Sequence, residues 1–447
     1  MSADTSVSGA RRGARHTPER AGQLLVRGGT VVDESGERRA DVLVADGAIA
    51  DVAPELTVPA GATVLDAGGA LVTPGLVDLH VHLRQPGAEE AETVESGSRA
   101  AALGGFTAVV AMPNTDPPID CAAVASEVLA LAAGALCRVA PAGAITVGRA
   151  GERLAPMAEL AGLGVRLFTD DGTGVQDAGV MRRALEYASG LGVTLAQHCE
   201  LASLADGGVI HEGEWSSRLG LPGVPAEAEE LMVGRDLALA RLTGATVHFL
   251  HLSTARAVSM VAAAKAEGLA VTAEATPHHL SLTDAELAGY DPLYKVNPPL
   301  RSPQDVAALR AGCAEGVVDA VASDHAPHPP EAKETTLAAA APGMVGLETA
   351  LAVTLGALTD GTGMTRRQVV GLMSWQPARI AGLSVDQGGD QADRSPPGRR
   401  PTSASSTPTS GGRSTRHVWP AAAATHRSPG APCAGGFATP SSPASRW

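Results

Sequence analysis

Aromatic side chains are scarce in this chain: Trp, Tyr and Phe make up only 2% of its 447 residues. A large interior must therefore be filled mostly by Ala, Val and Leu, and the hydrophobic share of 44% is enough for that. Lysine is scarcer still, found only as Lys265, Lys295 and Lys333, and the net charge is -14. Phosphate-binding surfaces need clustered Lys and Arg, so a nucleic-acid partner is set aside. The five cysteines (Cys121, Cys137, Cys199, Cys313 and Cys433) contain no CxxC pair. That disfavours a cysteine-based zinc site and suits free thiols in a reducing compartment. No apolar stretch reaches the roughly 18 residues needed to span a bilayer. Residues 1–21 lack the apolar run of about 7 to 15 residues that a secretory signal requires. The cytoplasm is the expected location, and no membrane partner is expected.

What the sequence does have is strongly patterned. After an N-terminal extension over 1–21, expected to be disordered, residues 22–74 read as a small β domain. Its segments are LLVRGGTVV, DVLVADGAIADV and TVLDAGGALV, with a hairpin-prone Asp46-Gly47 pair. From Gly75 onward, apolar runs of four to eight residues alternate with Ala- and Glu-rich stretches of helical period. Eight such runs are expected as strands: 75–83, 106–112, 137–144, 164–169, 193–198, 246–251, 269–275 and 318–324. Strands that read as buried on both faces, with helices between them, predict an α/β fold, a parallel (β/α)8 TIM-type barrel over 75–385.

Chemistry in such barrels sits at the carboxyl ends of the strands. The polar residues fall there: His80 and His82 close the first run, Asn114 follows the second and Asp171 the fourth. His198 ends the fifth run, His251 the sixth and Asp324 the eighth. An isolated HxH is weak evidence, but the pair projects to one face of its strand and is joined at the same rim by further N and O donors. That set suits zinc or a similar divalent ion, and two ions better than one. Two close metals call for a bridging anion. The fourth run ends FTDDG, where alternation lets only one of Asp170 and Asp171 face the metals. Asp171 is favoured, and Asp170 is left to a helix cap or a loop hydrogen bond. His211, His248, His278 and His279 are expected to make ordinary hydrogen bonds. His16, His417 and His426 lie in low-complexity ends.

With these residues in hand, the chain resembles the bacterial dihydroorotase group of the amidohydrolase superfamily. The matching stretches include TPGLVDLHVHLRQPG, AALGGFTAVVAMPNT, FTDDGTGVQ, AQHCE, HFLHLST, TAEATPHHL, YKVNPPLRS, ASDHAPH and GMVGLETA, spanning about residues 24 to 385. The resemblance implies two Zn2+ per subunit, with His80 and His82 on the first, His198 and His251 on the second, Asp171 bridging and Asp324 on the first. Many amidohydrolases bridge with a carboxylated lysine from the fourth strand, and no lysine lies there in this chain. It also implies that His82, Arg84, Asn114, Asn297 and His328 hold the substrate, with backbone contacts from Pro342 and Gly343; the family often has an aromatic where Pro342 stands. The implied reaction is reversible cyclisation of N-carbamoyl-L-aspartate to L-dihydroorotate in pyrimidine biosynthesis. In the hydrolytic direction, water activated by the metals attacks the ring amide, and Asp324 takes the proton and passes it to the leaving nitrogen. The expected partners are the small-molecule substrate, a second copy in a homodimer, and aspartate transcarbamoylase. The rival readings are a hydantoinase or allantoinase, and an inactive barrel serving aspartate transcarbamoylase.

Family members return at the C-terminus to the small β domain, normally a β-sandwich satellite. Here residues 386–447 turn instead to Ser, Pro, Arg, Thr and Gly, as in RSPPGRRPTSASSTPTSGGRSTRH. The expectation is a disordered tail produced by a shifted reading frame, leaving the β domain without its closing strands, with an apolar edge and reduced stability.

Overall fold

Alternating apolar residues from Leu24 to Val72 build a small sheet. The computed structural model describes residues 22–383 and 422–424. Strands β1 (Leu24–Asp33), β2 (Gly36–Ala45) and β3 (Ala48–Ala53) form an antiparallel meander. β4 (Thr63–Asp66) and β5 (Leu71–Thr73) lie parallel to β1. Asp46 and Gly47 turn the β2–β3 hairpin with φ of 52° and 76°, the positive values that a two-residue turn between twisted strands demands. Val26, Val31, Ala40, Val42 and Val72 give this sheet a core of its own.

The chain then enters β6 (Leu76–Val81), β7 (Phe106–Ala111), β8 (Arg138–Pro141), β9 (Leu167–Phe168) and β10 (Thr194–Gln197). A short ribbon of β11 (Ile210–His211) and β12 (Gly223–Val224) interrupts the series before β13 (Val247–Phe249), β14 (Val271–Ala275) and β15 (Ala320–Val321). Each of the eight predicted runs contains one strand of the series β6 to β10 and β13 to β15.

All pairings within β6-β7-β8 and within β9-β10-β13-β14-β15 are parallel. Gly143 bridges to Phe168 and Val81 to His325, joining the two groups at both ends into one closed barrel. At the second seam the His82 amide donates to the His325 carbonyl at 2.8 Å.

The strands are covered on both faces, as the apolar runs require. Val109 and Ala111 of β7 pack in the cluster that includes the helix residues Val128, Met181 and Val261, while Ala108 and Val110 join a second cluster with Ala142, Ala196, Ala320 and Ala322. That second cluster combines these alanines with Leu79, Met112, Leu167 and Leu250 and holds no aromatic, in keeping with their shortage. Helices begin with sequence-encoded caps: Asp177 accepts from the Val180 amide before Ala178–Leu191, and Thr254 from the Ala257 amide before Ala255–Ala266. Among the described residues, no helix is long and apolar enough to cross a membrane.

Three residues of the tail have a place. Ala422–Ala424 forms β16, antiparallel to β5, which departs from the expectation of a wholly unstructured 386–447. Ladder pairing uses only backbone N–H and C=O groups, and a run of alanines supplies them without the interruption a proline would cause. The shifted reading frame, the rest of the tail and the extension over 1–21 lie outside the described residues.

Candidate metal centre

β6 carries His80 and His82 to its carboxyl end, and alternation gives both rings the same side of the strand. The structure brings the expected ligands together. His80 Nε2 lies 3.3 Å from Asp171 Oδ1 and 3.5 Å from Asp324 Oδ1, and His82 Nε2 lies 3.1 Å from Asp324 Oδ1. On the far side of Asp171, its Oδ1 faces His198 Nδ1 at 3.5 Å and His251 Nε2 at 3.7 Å. His198 Nδ1 and His251 Nε2 are 2.9 Å apart. All six residues are buried.

Two sets of these residues have donor atoms close enough to share one cation: His80, His82 and Asp324, and His80, Asp171 and His251. His80 Nε2 and Asp171 Oδ1 are buried with no hydrogen-bond partner, an expensive state for a polar atom. Burial opposes ionisation of Asp171, but His80, His198 and His251 more than offset it and hold its carboxyl well below the ordinary range. Burial likewise opposes a charge on His80, yet the facing Asp171 and Asp324 raise its pKa well above the usual imidazole value. A divalent cation in this position would displace that proton and neutralise the carboxylates, so the donor set fits such an ion.

The outer contacts select the ring tautomers. His82 Nδ1 donates to Asn114 Oδ1 at 2.9 Å, and His80 Nδ1 to Glu274 Oε1 at 3.0 Å. With the extra His80 proton displaced, each ring would present an Nε2 lone pair inward. Asn114 thus holds a ligand candidate as well as lying at the rim where substrate contact is expected.

Glu274 was not singled out from the sequence, where it sits in TAEA like any polar residue of a strand. Asp78 was also missed: it is buried on β6 and accepts from the backbone amides of His80 and Ser323. Burial drives its pKa up to about 6. Asp170 turns away from the cluster and accepts from the amides of Ile145 and Thr146 and from the Thr146 hydroxyl.

A second group adjoins through Arg84. Its Nε donates to the Pro327 carbonyl at 3.1 Å, and its Nη2 lies 3.4 Å from His328 Nε2. His328 Nε2 donates to the Pro342 carbonyl at 2.8 Å, which leaves Nδ1 as an acceptor. Burial first, and then the Arg84 charge, lowers the His328 pKa to about 4.

Gly343 has φ of +137°, and a Cβ there would come within 2.8 Å of both Ala326 Cβ and the Ala326 carbonyl and 2.9 Å of His328 Nε2. Gly343→Ala is therefore expected to destabilise the fold by roughly 1–3 kcal/mol and to displace this loop. An unchanged thermal midpoint would contradict that expectation. Asn297 is half-buried, and among the described residues its side chain hydrogen-bonds to neither group.

Three candidate-site residues, Arg84 (φ 60°), His251 (φ 31°) and Asp324 (φ 48°), hold positive φ without being glycine. Such strain gathers where the fold over-determines a side chain's position. Of the remaining histidines, His211 meets Arg301, His248 meets Thr272 and Glu274, and His279 meets Thr276 and the Pro298 carbonyl. His278 differs from the expectation of ordinary hydrogen bonding, because its Nε2 is buried without a partner.

Residues 69–257 match the family model described as dihydro-orotase-like. The chain is 50% identical over 363 residues to a dihydroorotase of Pelotomaculum thermopropionicum, covering 81% of this chain and 85% of that protein. It is 51% identical over 365 residues to a dihydroorotase of Anaeromyxobacter dehalogenans, covering 80% and 84%. With a dihydroorotase of Mycobacterium tuberculosis it shares 50% identity over 369 residues, covering 82% and 85%. Among solved structures, the L-hydantoinase (dihydropyrimidinase) from Arthrobacter aurescens superposes with a TM-score of 0.71 at 26% identity, covering 80% of this chain and 82% of that one. Identity at this level over most of both chains is decisive, and the chain belongs to the dihydroorotase family.

Proposed function

We propose that the chain catalyses the reversible cyclisation of N-carbamoyl-L-aspartate to L-dihydroorotate in pyrimidine biosynthesis, with two zinc ions in the cluster. The observation that carries this reading is the convergence of His80, His82, Asp171, His198, His251 and Asp324 at one rim, in a chain half-identical to proteins named dihydroorotase. In this reading His80, His82 and Asp324 hold one ion, His198 and His251 the other, and Asp171 lies between them. Bound there, the metals supply a polarised carbonyl and a water of lowered pKa.

The protein's own residues do the rest. Arg84 is the cation that pairs with the ring carboxylate, and neutral His328 offers Nδ1 as an acceptor for a substrate N–H. Asn114 and Asn297 flank the substrate, while Pro342 and Gly343 approach it through their backbone. In the metal-free protein His80 and His82 outweigh the burial that opposes a charge on Asp324 and hold its carboxyl below the ordinary range. Asp324 accepts a proton from the attacking water and returns it to the leaving ring nitrogen.

Steady-state turnover of dihydroorotate, hydantoin and allantoin by zinc-loaded protein tests the proposal. Dihydroorotate should be the fastest, and faster turnover of either rival would overturn it. An inactive barrel would turn over none of the three. The homodimer, the cytoplasmic location, the transcarbamoylase association and the β-sandwich reading of the N-terminal sheet belong to the same proposal and rest on family resemblance.

A further inference from the structure

Glu274 on β14 is fully buried, and among the described residues no Lys or Arg side chain hydrogen-bonds to it. Its partners are His80 Nδ1 at 3.0 Å, His248 Nε2 at 3.0 Å and the His251 backbone amide at 3.3 Å. A carboxylate in such a place must be satisfied by hydrogen bonds or lose its charge.

Each Glu274 oxygen lies within hydrogen-bond distance of one ring nitrogen, and as acceptors the two oxygens take a proton from each ring. For His248 this leaves Nδ1 as an acceptor, filled by the Thr272 hydroxyl at 2.8 Å. Donors therefore converge on Glu274 from two directions, Thr272 through His248 on one side and His80 on the other. Glu274 Oε1 is shared between the His80 ring and the His251 main chain, and these residues belong to different halves of the metal cluster.

We propose that Glu274 is a positioning residue that fixes the metal-facing nitrogen of His80 and ties it to the His251 backbone, with His248 and Thr272 as its prop. The proposal rests on the reading that the cluster binds divalent metal. A carboxylate that merely filled a polar gap in the core would affect folding, but its neighbour Thr272 would have no influence on metal affinity. A positioning chain instead predicts a graded loss along its length.

In Glu274→Gln the amide cannot accept from both imidazoles, and one of them must change tautomer. Zinc titrated into the full chain against a chromophoric chelator should show a dissociation constant raised roughly 10- to 100-fold, the usual effect of losing an outer partner of a ligating histidine. Thr272→Val, at the half-buried end, should raise it about 2- to 10-fold, the worth of one neutral hydrogen bond. The absorption spectrum of the cobalt-loaded protein should shift in Glu274→Gln.

A folded Glu274→Gln protein with a zinc affinity within about twofold of wild type would overturn the proposal. If that variant fails to fold, an unchanged affinity in Thr272→Val overturns it instead. Wild-type protein that binds zinc but leaves dihydroorotate untouched would remove only the substrate assignment, whereas wild-type protein that binds no zinc would remove both.

Discussion

Replacing Asp171 by alanine is expected to abolish turnover of dihydroorotate and to weaken zinc binding by more than the roughly 10- to 100-fold that loss of an outer partner costs. One of its oxygens, Oδ1, faces His80, His198 and His251 at 3.3, 3.5 and 3.7 Å. No other carboxylate faces ligand-candidate ring nitrogens of both halves of the cluster among the described residues. With its anion gone, His80 also loses the first of the neighbours that raise its pKa, so the metal-free variant can shed that proton and keep its fold. Metal content per chain and turnover should therefore collapse together while the circular dichroism spectrum stays native. Retention of two zinc ions per chain would refute the bridging assignment.

Asp324→Asn is expected to lower turnover by about 10²- to 10⁴-fold, the span attributed to a positioned acid–base group. The substitution is gentle on the backbone. Residue 324 holds φ of 48°, a conformation that Asn adopts more readily than most residues. The amide can still offer an oxygen towards His82 Nε2, now 3.1 Å from Asp324 Oδ1. What it cannot do is accept a proton at neutral pH. Zinc content should accordingly fall less than activity does, and turnover within tenfold of wild type would remove Asp324 from proton transfer.

The barrel was legible because its strands are buried on both faces and so read as unbroken apolar runs. The site was legible because histidines and carboxylates gather at the carboxyl ends of those runs. His80, His82, His198, His251 and Asp324 stood out for that reason. Glu274 and Asp78 did not, because a polar residue inside a strand looks the same in sequence whether it faces water or accepts buried hydrogen bonds. Only the fold sets Glu274 opposite His80, which is 194 residues away. The same holds for Asn114, whose bond to His82 is decided by how β6 and β7 lie side by side, and for His278, whose lack of a partner no pattern in TPHHL foretells. The short ribbon of β11 and β12 escaped notice because two-residue strands leave no periodicity to read.

The seam at Val81 and His325 gives the metal cluster a mechanical standing. His82 and Asp324 are 242 residues apart in the chain, yet they flank the place where the first barrel strand meets the last. A growing polypeptide cannot assemble this half of the site until nearly the whole barrel has been made, so ions would be captured only by a completed ring. Once captured they would act as a rivet across the joint, adding their binding free energy to its closure. Parting the staves and releasing the ion then become one event seen from two ends.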